Sequence, residues 1–171
     1  MNLLRNFSNG MTILGQGGRI LLGLAPFLFL AIVLVWLYPE LVAMPANWTG
    51  LRICGLILLA PGFVLWGFGV VQLLQGFPRG RLITTGAYGL CRNPIYTSMA
   101  VLILPAVSLI FSTWIFIAVS AILLVLVNLL IGPEEVKLGL VFGSAYRDYC
   151  ARVGRFGPRF GKLKDRTPTW P

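Results

Sequence analysis

Four long apolar stretches constrain this chain more than any other feature of its sequence. They run from Ile20 to Leu37, from Ile53 to Leu74, from Ile95 to Phe111 and from Trp114 to Ile131, and none contains Asp, Glu, Lys or Arg. Each has about the 17 to 25 residues with which a helix crosses a bilayer. A charge at mid-bilayer costs at least about 2.5 kcal/mol on insertion scales, so its absence favours spanning helices over buried soluble ones. With 57% hydrophobic and 11% charged residues, the sequence predicts an all-α, polytopic membrane protein with four transmembrane helices.

The basic residues predict how these helices are oriented. Of the 14 Lys and Arg residues, Arg52 alone lies between the first and second stretches. The others fall in the N-terminal segment, the middle connection and the C-terminal segment: Arg5, Arg19, Arg79, Arg81, Arg92, Lys137, Arg147, Arg152, Arg155, Arg159, Lys162, Lys164 and Arg166. Because cytoplasmic loops carry an excess of Lys and Arg, we expect both termini and the middle connection in the cytoplasm. This topology and an attraction to anionic membrane lipids account for the net charge of +9, and no nucleic-acid partner is needed.

The residue types that the sequence lacks exclude several chemistries. The chain has no histidine, and its three cysteines, Cys54, Cys91 and Cys150, form no C-x-x-C pair. We therefore expect reduced thiols and no metal site. Ser-His and Cys-His nucleophile pairs and the H-E-x-x-H pattern are excluded as well. An enzyme with this sequence must catalyse a reaction that needs little acid–base help from the protein.

A polar segment follows the fourth apolar stretch. Gly132 and Pro133 end that stretch, and Glu134 and Glu135 fall in the first turn of a new helix, where acidic side chains suit the helix dipole. The acidic pair is therefore either a helix-start feature or a partner for positive charge, because it lies opposite Arg92 at the mouth of the bundle. The new helix has an apolar face (Leu138, Phe142, Ala145, Tyr149, Val153) and a polar face (Lys137, Ser144, Arg147, Asp148, Arg152). We expect this amphipathic helix to lie along the cytoplasmic membrane surface.

Glycines mark the second apolar stretch. Gly55, Gly62, Gly69 and Gly76 recur every seven residues on one slowly drifting helix face, which favours the close approach of a neighbouring helix. Gly67 lies about 200° from Gly69 around the helix, so it does not belong to that face. Its bare backbone could instead admit a ligand.

The start of the third stretch combines unusual neighbours. Arg92, a helix amino terminus at Pro94 and two tyrosines, Tyr88 and Tyr96, lie within nine residues. Taken separately, Arg92 could reach towards lipid phosphate and the tyrosines could belong to the interfacial aromatic belt. Taken together, they suit the binding of a carboxylate or phosphate beside a flat ring.

These motifs resemble those of the integral-membrane methyltransferases, a family that includes isoprenylcysteine carboxyl methyltransferases and phospholipid N-methyltransferases. The resemblance covers about residues 60 to 160 and has four marks in order. They are the pair Gly67 and Gly69, the pattern T-G-x-Y-x-x-x-R-[HN]-P-x-Y from Thr85 to Tyr96, the pair Glu134 and Glu135, and the pattern Y-x-x-Y-x-x-x-V-x-R-x-x-P from Tyr146 to Pro158.

The resemblance implies S-adenosylmethionine as the cofactor. The cofactor-binding residues that it implies are Gly67, Gly69, Tyr88, Arg92, Asn93, Pro94, Tyr96, Glu134 and Glu135. Among them, we expect Arg92 to pair with the cofactor carboxylate, Glu134 or Glu135 to bind its ammonium or ribose hydroxyls, and the tyrosines to flank the adenine. Arg155, Tyr146 and Tyr149 are the expected catalytic groups, which would position the acceptor.

From the apolar stretches and the resemblance together, we expect a single membrane-embedded domain over residues 1–171. It would comprise an N-terminal interfacial segment (1–19), a four-helix bundle (20–131), an amphipathic helix that caps the cofactor (132–160) and a basic tail (161–171). The expected partners are membrane lipids and a lipid-like or prenylated substrate.

Several acceptors and two other functions stay open. Asn93 before Pro94 resembles the phospholipid branch, whereas the C-terminal tyrosine and arginine pattern resembles the prokaryotic carboxyl methyltransferase homologues. The acceptor is therefore a phospholipid amine, a prenylcysteine carboxylate or a small hydrophobic thiol. The alternatives to a methyltransferase are an NADPH-dependent membrane reductase of the sterol reductase type and a non-catalytic membrane scaffold or small transporter. Ion or proton transport is disfavoured, because the apolar stretches contain no ionisable group of the kind such pathways need.

Overall fold

The structure, a computed structural model, describes residues 15–44, 49–76 and 80–158. In those ranges the regular elements are helices: α1 (Gly15–Leu37), α2 (Pro39–Val42), α3 (Thr49–Gly76), α4 (Ala87–Leu90), α5 (Pro94–Thr97), a π-helical segment (Ser98–Ile103), α6 (Leu104–Ile110), α7 (Ile115–Leu130) and α8 (Gly132–Arg152). Extended pairing within the described ranges is limited to two isolated bridges, Ala43 with Thr113 and Val153 with Pro158. The predicted all-α class is confirmed for this part of the chain.

Two of the described helices are long and apolar enough to cross a membrane, namely α1 over Gly17–Leu37 and α3. A third candidate arises if α7 and α8, which meet at a bend of 45°, are counted as one span. The third predicted stretch forms a shorter apolar helix over Pro94–Ile110, and α7 itself has 16 residues. The structure thus supports a membrane protein with two or three candidate spans, and the count of four stays a prediction. Residues 1–14, Arg79 and the predicted basic tail lie outside the described residues.

The helices pack in pairs. Helix α1 lies along α7, and α3 lies along the helix from Pro94 to Ile110. The outward faces of α1 and α3 remain uncovered, so that Leu22 is 76% exposed and Phe29 is 71% exposed. Apolar surface on this scale is typical of contact with a lipid environment. The contact between α1 and α7 buries Ile20, Leu24, Ala31, Val119, Leu123 and Val127.

The glycine face of α3 lies against the neighbouring helix. A Cβ atom built on Gly55 would lie 2.8 Å from the carbonyl oxygen of Ala106, and one built on Gly62 would lie 2.9 Å from Cγ1 of Ile103. Because a side chain at either position would collide with the neighbour, glycine sets the distance between these two helices. The interpretation of this face as a helix-packing surface is confirmed.

The π-helical segment has an identifiable cause. Pro105 has no N–H to offer the carbonyl of Val101, and its ring crowds that carbonyl, so the turns just before it widen. Ser120 on α7 donates its hydroxyl hydrogen to the carbonyl of Ala100 within the widened turns. A backbone acceptor in an apolar environment is thereby satisfied by the adjacent helix.

Helix α8 differs from the continuous helix that the sequence predicts. It is kinked at Gly143, whose φ of 55° and ψ of −126° are not helical. A positive φ of this kind costs glycine little, so the helix changes direction there. All five residues of the predicted polar face are exposed, whereas on the apolar face Tyr149 and Val153 are buried and Ala145 is exposed.

Candidate functional site

A turn held by α3 leads into the R-N-P-x-Y segment. Gly86 has a φ of 62°, and a Cβ there would collide with the side chain of Gln72. Gln72 Oε1 accepts a hydrogen bond from the Ala87 N–H at 2.9 Å, and its Nε2 donates to the Thr85 carbonyl at 3.1 Å. Gln72 is a positioning residue that sequence reasoning missed. The sequence does single out Gln72, because it is the only residue with a side-chain amide in the stretch from Ile53 to Leu74.

The chain then enters its third apolar helix as the sequence predicts. Pro94 occupies the first turn of α5, and Asn93 precedes it as the N-cap residue. Gly69 of α3 faces this helix start, since a Cβ on Gly69 would lie 3.4 Å from Cγ of Pro94. Gly67 differs, because a Cβ there would meet no atom within 4 Å. Gly69 is thus explained by packing, and the space beside Gly67 is open.

The segment after α8 folds back onto this helix start. Residues 153–158, here named the C-terminal hook, are closed by the bridge between Val153 and Pro158. The backbone N–H of Arg92 donates to the carbonyl of Gly154 at 2.8 Å, and Asn93 Nδ2 donates to the carbonyl of Arg155 at 3.4 Å. These two hydrogen bonds hold the hook against the start of the third apolar helix.

The hook completes a cluster of charges, here named the charged site: Arg92, Glu134, Glu135 and Arg155. Arg92 Nη1 lies 3.2 Å from Glu135 Oε1, and the guanidinium of Arg155 binds both oxygens of Glu135 at 3.2 and 2.6 Å. The side chains of Arg92, Glu135 and Arg155 are 15%, 9% and 29% exposed. Glu135 therefore joins two arginines that lie 63 residues apart in the sequence.

Two further residues contact the charged site, and the sequence reasoning named neither for it. Asn128 Oδ1, in the last turn of α7, accepts a hydrogen bond from Arg155 Nη1. Cys150 Sγ lies 2.9 Å from Arg92 Nη1. Asn128 could have been found as the only side-chain amide in its apolar stretch, whereas no sequence signal connects Cys150 with Arg92.

The two glutamates differ in their environments. Glu135 is buried and engaged by both arginines, whereas no side chain in the described ranges forms an ion pair or hydrogen bond with the Glu134 carboxylate. Burial raises the pKa of Glu134 above its usual value, Glu135 raises it further, and Lys137 lowers it. Burial lowers the pKa of Arg92, but Glu135, Cys150 and Tyr146 together outweigh burial, and the net pKa is raised. Glu134 is the acidic group of the charged site that is available to a ligand.

The tyrosines of the motifs surround the charged site in two ways. Tyr146 and Tyr149 are 2% and 3% exposed, and the Tyr149 hydroxyl donates to the Tyr88 carbonyl at 2.7 Å. Both therefore lie within the wall of the site. Burial and then the Glu134 carboxylate raise the pKa of the Tyr88 hydroxyl, so this phenol stays protonated. Tyr96 reaches α1, where its hydroxyl would lie 2.8 Å from a Cβ on Gly17.

The charged site has the chemistry to bind a zwitterion. It combines two arginines with two glutamates, so it offers groups for both signs of charge. Arg92 Nε is buried without a hydrogen-bond partner, and Glu134 offers an unpaired carboxylate on the other side. A buried polar group without a partner is costly, so Arg92 Nε would gain from a negatively charged ligand group. The half-buried carboxylate of Glu134 suits a positively charged one. Cys91 is buried, and burial raises the pKa of its thiol, which makes it a poor nucleophile.

Known proteins add no constraint on this site. No protein-family model matches the chain, and searches of the curated proteins and of the solved structures find no match either. Among the described residues, no group of three or more His, Cys, Asp or Glu residues is placed to hold a metal ion.

Proposed function

We propose that this protein is an integral-membrane methyltransferase that uses S-adenosylmethionine and methylates a lipid-like acceptor. One observation carries the proposal. The R-N-P-x-Y and E-E motifs, which lie about 40 residues apart in the sequence, meet through the ion pair of Arg92 and Glu135, and Arg155 of the third motif closes the cluster. Three of the four marks of the family resemblance thus share one site.

The residues present fit the amino-acid end of S-adenosylmethionine. The unpaired Nε of Arg92 suits its carboxylate, and the unpaired carboxylate of Glu134 suits its ammonium group. Tyr88, next to Glu134, offers an aromatic face for the adenine. Glu135 has a different role in this proposal, because it holds both arginines and so orients the group that binds.

We propose four spans, with the charged site at the cytoplasmic surface. The helix from Pro94 to Ile110 and α7 would be the two short spans, with α8 and the hook on the same side as the start of α1. The basic residues of the middle connection and of α8 would then face the cytoplasm, together with both termini. A polar cofactor would enter from that side, and an acyl or prenyl chain would enter sideways between the helices.

The proposed reaction suits a chain without histidine. The sulfonium group of the cofactor supplies an activated methyl group, so the protein's main tasks are to align the acceptor and to exclude water. Orientation of this kind contributes on the order of 7 to 11 kcal/mol. Arg155 is 29% exposed and held by Glu135 and Asn128, so its guanidinium is fixed where it can position an anionic acceptor. Tyr146 and Tyr149 are buried in the wall of the charged site and act as positioning residues.

Isothermal titration of S-adenosylmethionine into the detergent-solubilised protein tests the cofactor site. We expect saturable binding that is lost in Arg92→Ala and in Glu134→Ala. Matched controls are Arg147→Ala and Asp148→Ala, which remove an exposed charge of the same sign from α8. Unchanged affinity in both site variants would refute the site. A stable complex with NADPH and none with S-adenosylmethionine would instead support the reductase.

The acceptor is identified by the fate of the methyl group. Membranes from expressing cells are incubated with methyl-labelled cofactor, and the label is separated into lipid, protein and volatile fractions. Label in the lipid fraction indicates that the acceptor is a phospholipid amine. Label on protein that is released by base indicates a prenylcysteine ester, and label in the volatile fraction indicates a small thiol. Methyl transfer would be contradicted if no fraction contained more label than the same fraction from an Arg92→Ala control.

A further inference from the structure

The outward sides of α7 and of the first half of α8 form one continuous apolar surface. Four exposed residues of this surface, here named the outer face, are Val125, Leu129, Val136 and Leu140. Leu129 is 69% exposed and Leu140 is 81% exposed. Helical hydrogen bonding continues across the bend between the two helices, because the N–H of Glu135 donates to the carbonyl of Ile131 at 3.1 Å. Positions 125, 129, 136 and 140 are separated by about one or two helical turns, so they lie on the same side.

The exposed side of α8 changes from apolar to polar at the kink at Gly143. Before the kink, the exposed residues of this helix are Pro133, Val136, Lys137, Leu140 and Val141. Beyond the kink, they are Ser144, Ala145, Arg147, Asp148 and Arg152. The first set has one charged residue, Lys137, whereas the second set is mainly charged or polar. Such a change along one helix is typical of the boundary between the hydrocarbon of a membrane and water.

The length of α7 supports the same boundary. Its 16 residues extend about 24 Å, which is shorter than a hydrocarbon core of about 30 Å. The bend between α7 and α8 is 45°, so residues 133–142 add about 10 Å along the axis of α7. Helix α7 and the first half of α8 are together long enough to cross the hydrocarbon, whereas α7 alone is too short.

The charged residues in the first half of α8 are compatible with contact between its outer side and lipid. Glu135 is buried and pairs with Arg92 and Arg155, and Glu134 is half-buried. Ionisable residues at membrane depth usually face the protein interior and pair with one another, as Glu135 does. Lys137 is exposed, but its long apolar stem lets the ammonium group reach the lipid headgroups.

The charged site reaches the outer face at Asn128. This residue is exposed in the last turn of α7, next to Leu129, and its Oδ1 accepts a hydrogen bond from Nη1 of Arg155. The side chain of Arg155 is itself 29% exposed. The amide nitrogen of Asn128 carries two further N–H donors, and within the described ranges no group accepts a hydrogen bond from them. A polar group of a molecule in the membrane can therefore be bound there.

We propose that membrane lipid covers the outer face from α7 as far as Val141 and that the chain leaves the hydrocarbon at Gly143. The charged site then lies at the edge of the hydrocarbon and faces it sideways at Asn128. This contact differs from the one that the sequence predicts, because the predicted apolar face of α8 includes Tyr149 and Val153, which are buried.

The contact with lipid does not depend on methyl transfer. Its consequence for the acceptor does rest on the proposed function: a membrane-bound acceptor reaches the charged site along the outer face without passing through water.

Nitroxide labels on single cysteines test the boundary in the full chain, after its three native cysteines are replaced by serine. The protein is reconstituted in dioleoyl phosphatidylcholine vesicles. Collisions of each label with oxygen, which concentrates in hydrocarbon, are compared with collisions with a water-soluble nickel chelate. Oxygen collisions should prevail for Val125→Cys, Val136→Cys and Leu140→Cys, and nickel collisions should prevail for Arg147→Cys. Because α8 is inclined by 45° to α7, the label at position 140 should lie about 4 Å nearer to the water than the label at position 136.

Asn128→Cys tests the sideways opening of the charged site, and its label should collide mainly with oxygen. Circular dichroism verifies that each variant keeps the helix content of the wild type. Val136→Cys and Leu140→Cys report the same contact, so the loss of one variant leaves the boundary testable. The labels report contact with lipid in the absence of cofactor, so a failure here is distinguishable from a failure of the wild type to bind S-adenosylmethionine.

Four results would overturn the proposal. Prevailing nickel collisions at positions 136 and 140 would place the boundary at the bend between α7 and α8, and prevailing oxygen collisions at position 147 would move it beyond Gly143. Equal depths at positions 136 and 140 would mean that α8 lies flat on the membrane surface. Prevailing nickel collisions at position 128 would show that the charged site opens to water and not to lipid.

Discussion

Glu134 and Glu135 are adjacent and identical, yet the structure predicts opposite consequences for their replacement. Glu135→Gln keeps the shape of the side chain but removes the charge that pairs with Arg92 at 3.2 Å and with Arg155 at 2.6 Å. Two arginines, 15% and 29% exposed, are then left without their carboxylate. Glu134→Gln removes a carboxylate that has no partner among the described residues and whose pKa is already raised by burial.

The sizes of the two effects follow from these environments. Removing one partner of a buried ion pair costs about 3 to 5 kcal/mol. Since Arg155 is nearly a third exposed and water screens its interaction, we expect the low end, about 3 kcal/mol, for Glu135→Gln. For a chain of this size that corresponds to a fall in Tm of roughly 6 to 12 °C. Glu134→Gln should leave Tm unchanged or slightly raised.

Tryptophan fluorescence during thermal unfolding in detergent at neutral pH measures both effects, and titration of S-adenosylmethionine supplies the second readout. Glu134→Gln should lose cofactor affinity while it keeps its Tm. A double-mutant cycle of Glu135→Gln with Arg155→Gln should give a coupling of about 1 to 3 kcal/mol. Equal destabilisation by the two glutamine variants, or a loss below about 1 kcal/mol for Glu135→Gln, would refute the assignment of Glu135 to the arginines and Glu134 to the ligand.

Three further predictions test the charged site and its surroundings. Because the pKa of Glu134 is raised in the folded protein, its contribution to stability is present below the ordinary pKa of a glutamate and is lost as pH rises through the raised pKa. In that pH window the wild type should lose stability relative to Glu134→Gln. Its affinity for S-adenosylmethionine should rise over the same window. Tyr149→Phe removes the hydrogen bond to the Tyr88 carbonyl and should lower the free energy of unfolding by about 1 kcal/mol in equilibrium unfolding experiments. Gly69→Ala should destabilise the protein by about 1 kcal/mol, because its Cβ would lie 3.1 Å from Cγ1 of Ile95 on the third apolar helix. Gly67→Ala should leave the stability of the protein unchanged and reduce its affinity for the cofactor.

Each of these has a result that would contradict it. Parallel pH profiles of wild type and Glu134→Gln would show that Glu134 is not desolvated. A Tyr149→Phe protein as stable as wild type would remove that hydrogen bond from the wall of the site. Equal stability losses at Gly67 and Gly69 would mean that both glycines serve packing.

The parts of the structure that the sequence predicts are those with local signals. Pro94 starts a helix because its ring fixes φ and its missing N–H is not needed there. The glycine face can be predicted because a seven-residue repeat keeps one side of a helix free of side chains. Both signals lie within one element, so no knowledge of the neighbouring helix is required.

The division of roles between Glu134 and Glu135 is not local. Adjacent side chains on a helix point about 100° apart, so the rotation of α8 decides which of them meets the arginines. That rotation depends on the packing of α8 and on the C-terminal hook, about 20 residues further along. The kink at Gly143 likewise cannot be predicted from the sequence, because an apolar pattern at helical spacing continues through this position.

The C-terminal hook has a consequence for the biosynthesis of the protein. Arg92 and Asn93 emerge from the ribosome long before Gly154 and Arg155, to which they are hydrogen-bonded in the finished structure. Until the hook is made, the apolar helices can insert and pack, but Glu135 lacks one of its two arginines. A chain released before the hook is made would therefore lack the Arg155 side of the charged site, which is completed only when the residues of the hook have been synthesised.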